Sequence, residues 1–221
     1  MSPVKEISAP GMAVRTAAIL FVFVIVFTAL LSGAYLWTKP AIEASAADEK
    51  MKLVDEVLPR SEYNNALLDD TLRLPAAPEL LGLTNPSLLY RARKDGQPVG
   101  VIFEAVAPDG YAGKIRLLVA IRANGEVAGV RVTHHKETPG LGDYIELKKD
   151  KNKARPWITQ FNGMALAQIP EKEWKVKKDG GRLDAYAGAT VSPRAVAKAV
   201  LKAVKWAEAN RDRLFSEGVT Q

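Results

Sequence analysis

Residues 184–193 place a hydroxyl group directly before a predicted helix. The segment reads Asp-Ala-Tyr-Ala-Gly-Ala-Thr-Val-Ser-Pro, so Thr190 follows a turn of small residues. Ser192 is predicted as the N-cap and Pro193 as the first helical residue, because these residue types favour those positions. The unpaired N–H groups and positive dipole end of a helix start suit a phosphate, and the Thr190 hydroxyl could be esterified by one. Many helices also begin in this way for structural reasons alone.

A second segment, residues 134–143, has the backbone that a flat ligand needs. It reads His-His-Lys-Glu-Thr-Pro-Gly-Leu-Gly-Asp. Pro139 presets the first central φ of a turn, and Gly140 supplies the positive φ of a type II turn. Gly142 has no Cβ, so the loop backbone can closely approach a ring. The alternative interpretation is a plain connection between a hairpin and a helix.

Together the two segments resemble the FMN-binding domain family, in which FMN is held by a phosphoester bond to a threonine. Within it, the resemblance is closest to the G subunits of Rnf electron-transport complexes, followed by the C subunits of sodium-pumping NADH:quinone oxidoreductases. It extends from the apolar N-terminal segment to the last helix. The family's attachment pattern is Asp, two residues, Ser or Thr, then Gly-Ala-Thr. Here Ala187 takes the fourth position without a hydroxyl, and Thr190 remains the acceptor.

The resemblance implies covalent FMN on Thr190, attached by a separate FMN transferase whose target pattern includes Asp184 and Gly188. Val191 and Tyr186 are expected to pack beneath the attachment turn. Glu137 is expected to orient the loop or to pair with a lysine. The implied cofactor-binding residues are Thr190, Asp184, Gly188, Ala189, Val191, Ser192, Glu137, Thr138, Pro139, Gly140, Leu141, Gly142 and His134.

The family also implies the function of a membrane-anchored electron relay. In such complexes electrons move between ferredoxin and NAD through iron–sulfur and flavin subunits, coupled to ion transport. The expected partners are the other subunits, the FMN transferase and the lipid bilayer, and no independent turnover is expected. Two alternatives stay open: the C subunit of a sodium-pumping quinone reductase, and a non-redox extracytoplasmic module for binding or scaffolding.

Composition narrows the chemistry that the side chains can perform. The 221 residues include no cysteine, which excludes disulfides, iron–sulfur ligation and thiolate nucleophiles. The two histidines are adjacent and no carboxylate lies at a metal-ligand spacing from them, so no metal site is predicted. The net charge is +6, and the lysine-rich stretches lack interleaved aromatics, so a solvated surface is favoured over nucleic-acid binding.

Residues 17–36 are apolar and uncharged, and about twenty such residues span a bilayer core. Lys5 and Arg15 precede this stretch, which predicts a cytoplasmic N-terminus and an extracytoplasmic domain. The family resemblance implies that the membrane is the bacterial inner membrane. The alternative is a signal peptide cleaved at 44–46, but the apolar run is long for one.

The remaining pattern predicts an α+β fold, in which a transmembrane helix precedes an antiparallel-sheet FMN-binding domain with packed helices. Asp95-Gly96 and Asn124-Gly125 mark two hairpins. The predicted regions are an N-terminus and anchor (1–39), a helical linker and surface segment (40–86) and the FMN-binding domain (87–221). Predicted strands are 88–94, 99–107, 114–122, 126–134 and 174–177, and predicted helices besides the anchor are 41–57, 155–161 and 193–210.

Overall fold

The computed structural model describes residues 9–215, which fall into two compact units, one ending at Lys50 and the other beginning at Met51. The predicted cytoplasmic residues 1–8 and the last residues, 216–221, lie outside the described residues. Helix α1 (Ala9–Val57) makes up the described part of the first unit and ends in the second. The second unit also holds a five-stranded antiparallel sheet and further helices, so the predicted α+β class is confirmed.

Helix α1 contains a stretch that is long and apolar enough to cross a membrane. This stretch, Pro10–Ile42, has a mean hydropathy of 2.6 and includes the predicted span. The prediction of separate helices before and after Pro40 is wrong, because α1 runs through this proline without a break. A proline removes one helical hydrogen bond, and the helix-forming residues on either side carry the helix past it. The helix ends just before Pro59, as predicted.

The sheet is a simple meander in which each strand pairs with the next along the chain. Its strands are β1 (Thr71–Leu74), β2 (Ser87–Lys94), β3 (Gln97–Ala107), β4 (Ile115–Arg122) and β5 (Val127–His134). The last four were predicted with ends that differ by two residues at most. Both hairpin predictions are confirmed, since Asp95, Gly96 and Gly125 have φ values of 52°, 80° and 89°.

Two predictions about other segments are wrong. The predicted helical linker and surface segment (40–86) does not lie wholly on the surface, since its later part contains β1 and buries Leu67, Leu74 and Leu81. The strand predicted at 174–177 is absent, and Val176 makes only an isolated bridge with Leu183. Short 3₁₀ turns occupy this part of the chain. The described 3₁₀ turns are Arg60–Glu62, Gly142–Ile145, Trp157–Phe161, Glu171–Glu173 and Lys177–Asp179.

Apolar side chains cover both faces of the sheet. On β4, Leu117 and Val119 belong to the core shared with helix α2 (Val191–Ala209), which is followed by the short helix α3 (Arg211–Phe215). Leu118 and Ala120 face a second core that includes the last turn of α1. Since strands alternate sides at each residue, a strand buried on both faces needs an almost continuous apolar sequence, which β4 has.

The valine spacing of α2 produces the predicted amphipathic helix. Val196, Val200 and Val204 are buried against the sheet, one turn apart. The helix therefore packs on the sheet along this face, and Ser192 in its first turn bonds Glu137 of the loop that follows β5.

An ion pair joins the chain after α1 to the end of β4. The Arg122 guanidinium donates hydrogen bonds of 2.8 and 2.9 Å to the two carboxylate oxygens of Glu62. Hydrogen bonding to Arg122 lowers the pKa of the Glu62 carboxyl below its usual value, against the opposing effect of burial. A carboxyl whose pKa is lowered on folding stabilises the fold above its unfolded pKa, and this contribution is lost as pH falls through the folded pKa.

We therefore expect Glu62→Gln to reduce the free energy of unfolding by about 1 kcal/mol at neutral pH and by progressively less below about pH 4. The measurement is urea unfolding of the full chain in detergent, followed by tryptophan fluorescence at several pH values. Glu171→Gln is the control, because Glu171 pairs with Lys205 at an exposed site. A loss in Glu62→Gln that is the same at every pH would contradict the assignment.

Candidate functional site

A cleft opens between the loop after β5 and the start of α2. It encloses about 320 Å³, at the lower end of the range of about 300–1,000 Å³ found for ligand sites. Nine of its ten lining residues belong to the two segments that the sequence singled out. The lining residues are Tyr111, Glu137, Thr138, Leu141, Gly142, Gly188, Ala189, Thr190, Val191 and Ser192. The fold thus brings together segments that lie about fifty residues apart in the chain.

The loop after β5 is closed by a tight turn. The Thr138 carbonyl accepts hydrogen bonds of 3.1 Å from the N–H groups of Leu141 and Gly142. Gly140 has a φ of 75°, as the type II turn prediction requires. The Asp143 carboxylate accepts a 2.8 Å hydrogen bond from the Gly140 N–H and fixes the turn from inside. Pro139 and Gly140 shape the loop and do not line the cleft.

Glu137 lies at the floor of the cleft and is 4% exposed. One carboxylate oxygen accepts a 3.1 Å hydrogen bond from the Ala112 N–H, and the other accepts a short hydrogen bond from the Ser192 hydroxyl. Of the two roles expected for Glu137, these bonds fit the first, orienting the loop, and not the alternative of pairing with a lysine. A Cβ on Gly142 would lie 2.6 Å from the Ser192 hydroxyl oxygen and 2.9 Å from the Glu137 carboxylate, so only glycine fits there.

The attachment segment forms a turn that is held from below. The Ala189 N–H donates to the Tyr186 carbonyl at 3.2 Å, and Gly188 has a φ of 81°. The hydroxyl of Tyr144 donates to the Ala189 carbonyl at 2.9 Å and accepts from the Tyr186 N–H at 3.2 Å. One phenol therefore bonds both ends of the turn, so the position of Thr190 depends on it.

An aspartate and three aromatic rings support this turn. Asp150 is fully buried and accepts hydrogen bonds from the Tyr186 hydroxyl at 2.6 Å and from the backbone N–H of Trp157 at 2.5 Å. The Tyr144 ring lies 4.3 Å from that of Tyr186 and 5.9 Å from that of Trp157. Burial raises the pKa of Tyr144 to about 12, and the hydrogen bond to Asp150 raises the pKa of Tyr186 to about 12. Both phenols thus keep their protons at neutral pH.

Thr190 is the N-cap of α2, which corrects the prediction that Ser192 caps the helix. Its side chain makes no capping hydrogen bond, so the hydroxyl stays available in the cleft. Ser192 and Pro193 are the second and third helical residues. Proline is tolerated at both the predicted and the observed position, because first-turn N–H groups have no acceptor within the helix.

Three other predicted residues lie away from the expected contacts. His134 is exposed at the end of β5 and does not line the cleft. Asp184 also lies outside the lining and forms an exposed 2.6 Å ion pair with Lys177. Tyr186 does pack beneath the turn as expected, since its ring lies 4.3 Å from that of Tyr144 and its hydroxyl donates to Asp150. Val191 is 41% exposed, so for Val191 that expectation is wrong. Val191 instead contributes to the cleft wall.

Sequence reasoning did not identify Tyr111, Tyr144 or Asp150. Tyr111 reaches the cleft from the β3–β4 loop, and Tyr144 and Asp150 act on a turn that lies about forty residues away. Only the glycines flanking Tyr111, at 110 and 113, could have marked its loop as one that approaches other backbone closely.

The arrangement can hold an anionic group and a flat apolar ring side by side. The hydroxyl of Thr190 and the helix start offer a place for a phosphate, and Leu141, Val191 and the loop backbone offer apolar and hydrogen-bonding contacts to a ring. No group of three or more potential metal ligands occurs among residues 9–215.

Comparison with known proteins gives matches at both ends of the chain. Residues 110–205 match the FMN-binding domain family, and residues 10–57 match the RnfG N-terminal region. The chain is 45% identical to the G subunit of the ion-translocating oxidoreductase complex of Pseudomonas aeruginosa, over 91% of this chain and 92% of that protein. Proteins of the same description from Pseudoalteromonas atlantica and Vibrio cholerae are 39% and 37% identical, over 91% and 92% of this chain and 91% and 94% of their own lengths.

The Tyr144 hydroxyl gives a direct test of how the attachment turn is held. We expect Tyr144→Phe to lower the free energy of unfolding by about 1 kcal/mol, because the Ala189 carbonyl and the Tyr186 N–H lose a partner. Amide exchange at Tyr186 should become faster at the same time. The measurement is hydrogen exchange by mass spectrometry on peptides that cover residues 184–190.

The matched control is Tyr63→Phe, which also removes a phenol hydrogen bond, the one of 2.7 Å to Asp55. It should lower stability without changing exchange at 184–190. Equal exchange in the parent and in Tyr144→Phe would show that the turn does not depend on this phenol.

Proposed function

This chain belongs to the family of G subunits of ion-translocating oxidoreductase complexes, and on that premise we propose that it is a membrane-anchored electron relay carrying covalent FMN. The observation that carries the proposal is the Thr190 hydroxyl, which lies free of capping in a cleft at the start of α2. When bound, FMN supplies one- and two-electron transfer chemistry. The chain's own residues bind it, orient it and set its surroundings.

The geometry of the cleft fits FMN. Its phosphate would be held at the Thr190 hydroxyl and the first-turn N–H groups of α2. The residues beside this point, Gly188 and Ala189, are small, so access to the hydroxyl from outside is open. The ring would be held by the loop 137–142, where Gly142 leaves room for close approach of the backbone.

The covalent link is a phosphoester to the Thr190 oxygen, made by a separate FMN transferase. Thr190 is half-buried, and the turn before it is held by Tyr144, which supports a backbone that carries the hydroxyl at a defined place. A covalent bond also prevents loss of the cofactor where free FMN is scarce, because a reversible site would empty by mass action.

The partners are the other subunits of the complex and the lipid bilayer. The apolar stretch Pro10–Ile42 supports a membrane anchor. The family supports the bacterial inner membrane, and Arg15 ahead of the uncharged span supports an FMN-carrying domain outside the cytoplasm. The anchor then keeps the flavin near the membrane, where the other subunits of an ion-translocating complex lie. The chain takes part in the electron transfer of the complex and has no turnover of its own.

The attachment site is tested by substitution of the two cleft threonines. Thr190→Ala, coexpressed with an FMN transferase, should lose all covalent flavin, seen as fluorescence in a denaturing gel and as the mass of the intact chain. Thr138→Ala is the matched control and should keep the adduct, since Thr138 lines the same cleft. Thr190→Ser should be labelled in part, because it keeps a hydroxyl.

A fluorescent band in Thr190→Ala would place the attachment elsewhere. A parent chain that carries no adduct after coexpression would instead favour a noncovalent binding or scaffolding domain.

The orientation in the membrane is tested with reporter fusions. Alkaline phosphatase joined to the C-terminus should be active in cells, since this enzyme folds only where disulfides form. The control is a fusion joined at Gly11, ahead of most of the apolar stretch, which should be inactive. An inactive C-terminal phosphatase together with an active cytoplasmic reporter at the same position would reverse the proposed orientation.

A further inference from the structure

Tyr111 is an exposed aromatic residue at the mouth of the cleft, and nothing in the proposed attachment uses it. Its side chain is 72% exposed, and no described residue hydrogen-bonds to its hydroxyl. Three of the large apolar or aromatic side chains exposed in the second unit, Tyr111, Leu141 and Val191, line this one cleft. Exposed apolar groups that gather at one place mark a surface that something covers.

The loop that carries Tyr111 is held on both sides of this residue. Asp109 forms a 2.8 Å ion pair with Lys198 of α2, and the Ala112 N–H donates to the Glu137 carboxylate at 3.1 Å. The loop is also compact, since a Cβ on Gly110 would lie 2.3 Å from the Gly113 carbonyl oxygen. The backbone of Tyr111 is thus fixed to α2 and to the loop after β5, the two elements that form the cleft.

We propose that Tyr111 is a cofactor-contacting residue whose phenol ring packs on the isoalloxazine ring of FMN carried by Thr190. This inference rests on the proposed function and adds a contact from outside the two motif segments. Thr190 and the start of α2 would bind the phosphate at one end of the cleft. The ring would then lie at the mouth, where Tyr111, Leu141 and Val191 are exposed. A tyrosine offers a flat apolar surface of this kind, and paired aromatic rings favour offset or tilted contact.

Flavin fluorescence tests this contact directly, because a phenol in contact with an excited flavin quenches it by donating an electron, whereas a benzene ring does not. The full chain is coexpressed with an FMN transferase, purified in detergent and compared at equal flavin content. Tyr111→Phe should show a several-fold rise in fluorescence yield with little change in the visible absorption bands. Tyr111→Ala should show the same rise together with shifted bands, because the stacked ring is gone.

Leu80→Ala is the matched control, since Leu80 is 54% exposed and lies outside the cleft lining. It should leave both spectra unchanged. If both Tyr111 variants carry flavin with the fluorescence yield of the parent, the proposal is wrong while the proposed function stands. If the parent itself carries no flavin, both the proposed function and the proposed contact are wrong. If Tyr111→Ala alone carries no flavin, the fluorescence yield of Tyr111→Phe relative to the parent tests the contact.

Discussion

The cleft depends on one buried carboxylate, that of Glu137. A carboxylate removed from water is costly unless donors satisfy it, and here the Ala112 N–H and the Ser192 hydroxyl do so. These two donors come from the β3–β4 loop and from α2, while Glu137 itself begins the loop after β5. Three segments that are distant in sequence must therefore meet at one point, and the glycines at 110 and 142 leave the space for it.

The start of α2 supplies one of these two donors. Ser192 lies inside the helix as its second residue, where its hydroxyl donates to the Glu137 carboxylate, and the N-cap is Thr190. The Thr190 hydroxyl in turn makes no capping bond. The serine that local preference favours as the cap thus lies within the first turn of the helix and serves a buried carboxylate, which would be costly without donors.

The sequence predicts the parts of this fold that local pattern determines. Strands β2 to β5 have Val- and Ile-rich runs bounded by turn residues, and α2 has valines one turn apart, so their positions follow from the chain alone. Strand β1 has only four residues among prolines and acidic residues, and its pairing with β2 identifies it. The roles of Tyr144 and Asp150 cannot be predicted from the sequence either. Their hydrogen-bond partners at 186–189 lie far along the chain, and no local sequence pattern indicates these contacts.

The attachment turn is held by hydrogen bonds on the side of Tyr144 and Asp150 and is accessible on the side of the cleft. This difference between its two sides fits a cofactor that is bound covalently rather than by contacts alone. Tyr144 and Asp150 fix the underside of the turn, whereas Gly188, Ala189 and the exposed wall residues leave its upper side accessible. An accessible hydroxyl can be reached by another enzyme, and a cleft of about 320 Å³ that is open on one side leaves part of a bound FMN in contact with solvent. Under the proposed function, the ester supplies the retention that the cleft does not, and the wall residues are free to position the ring.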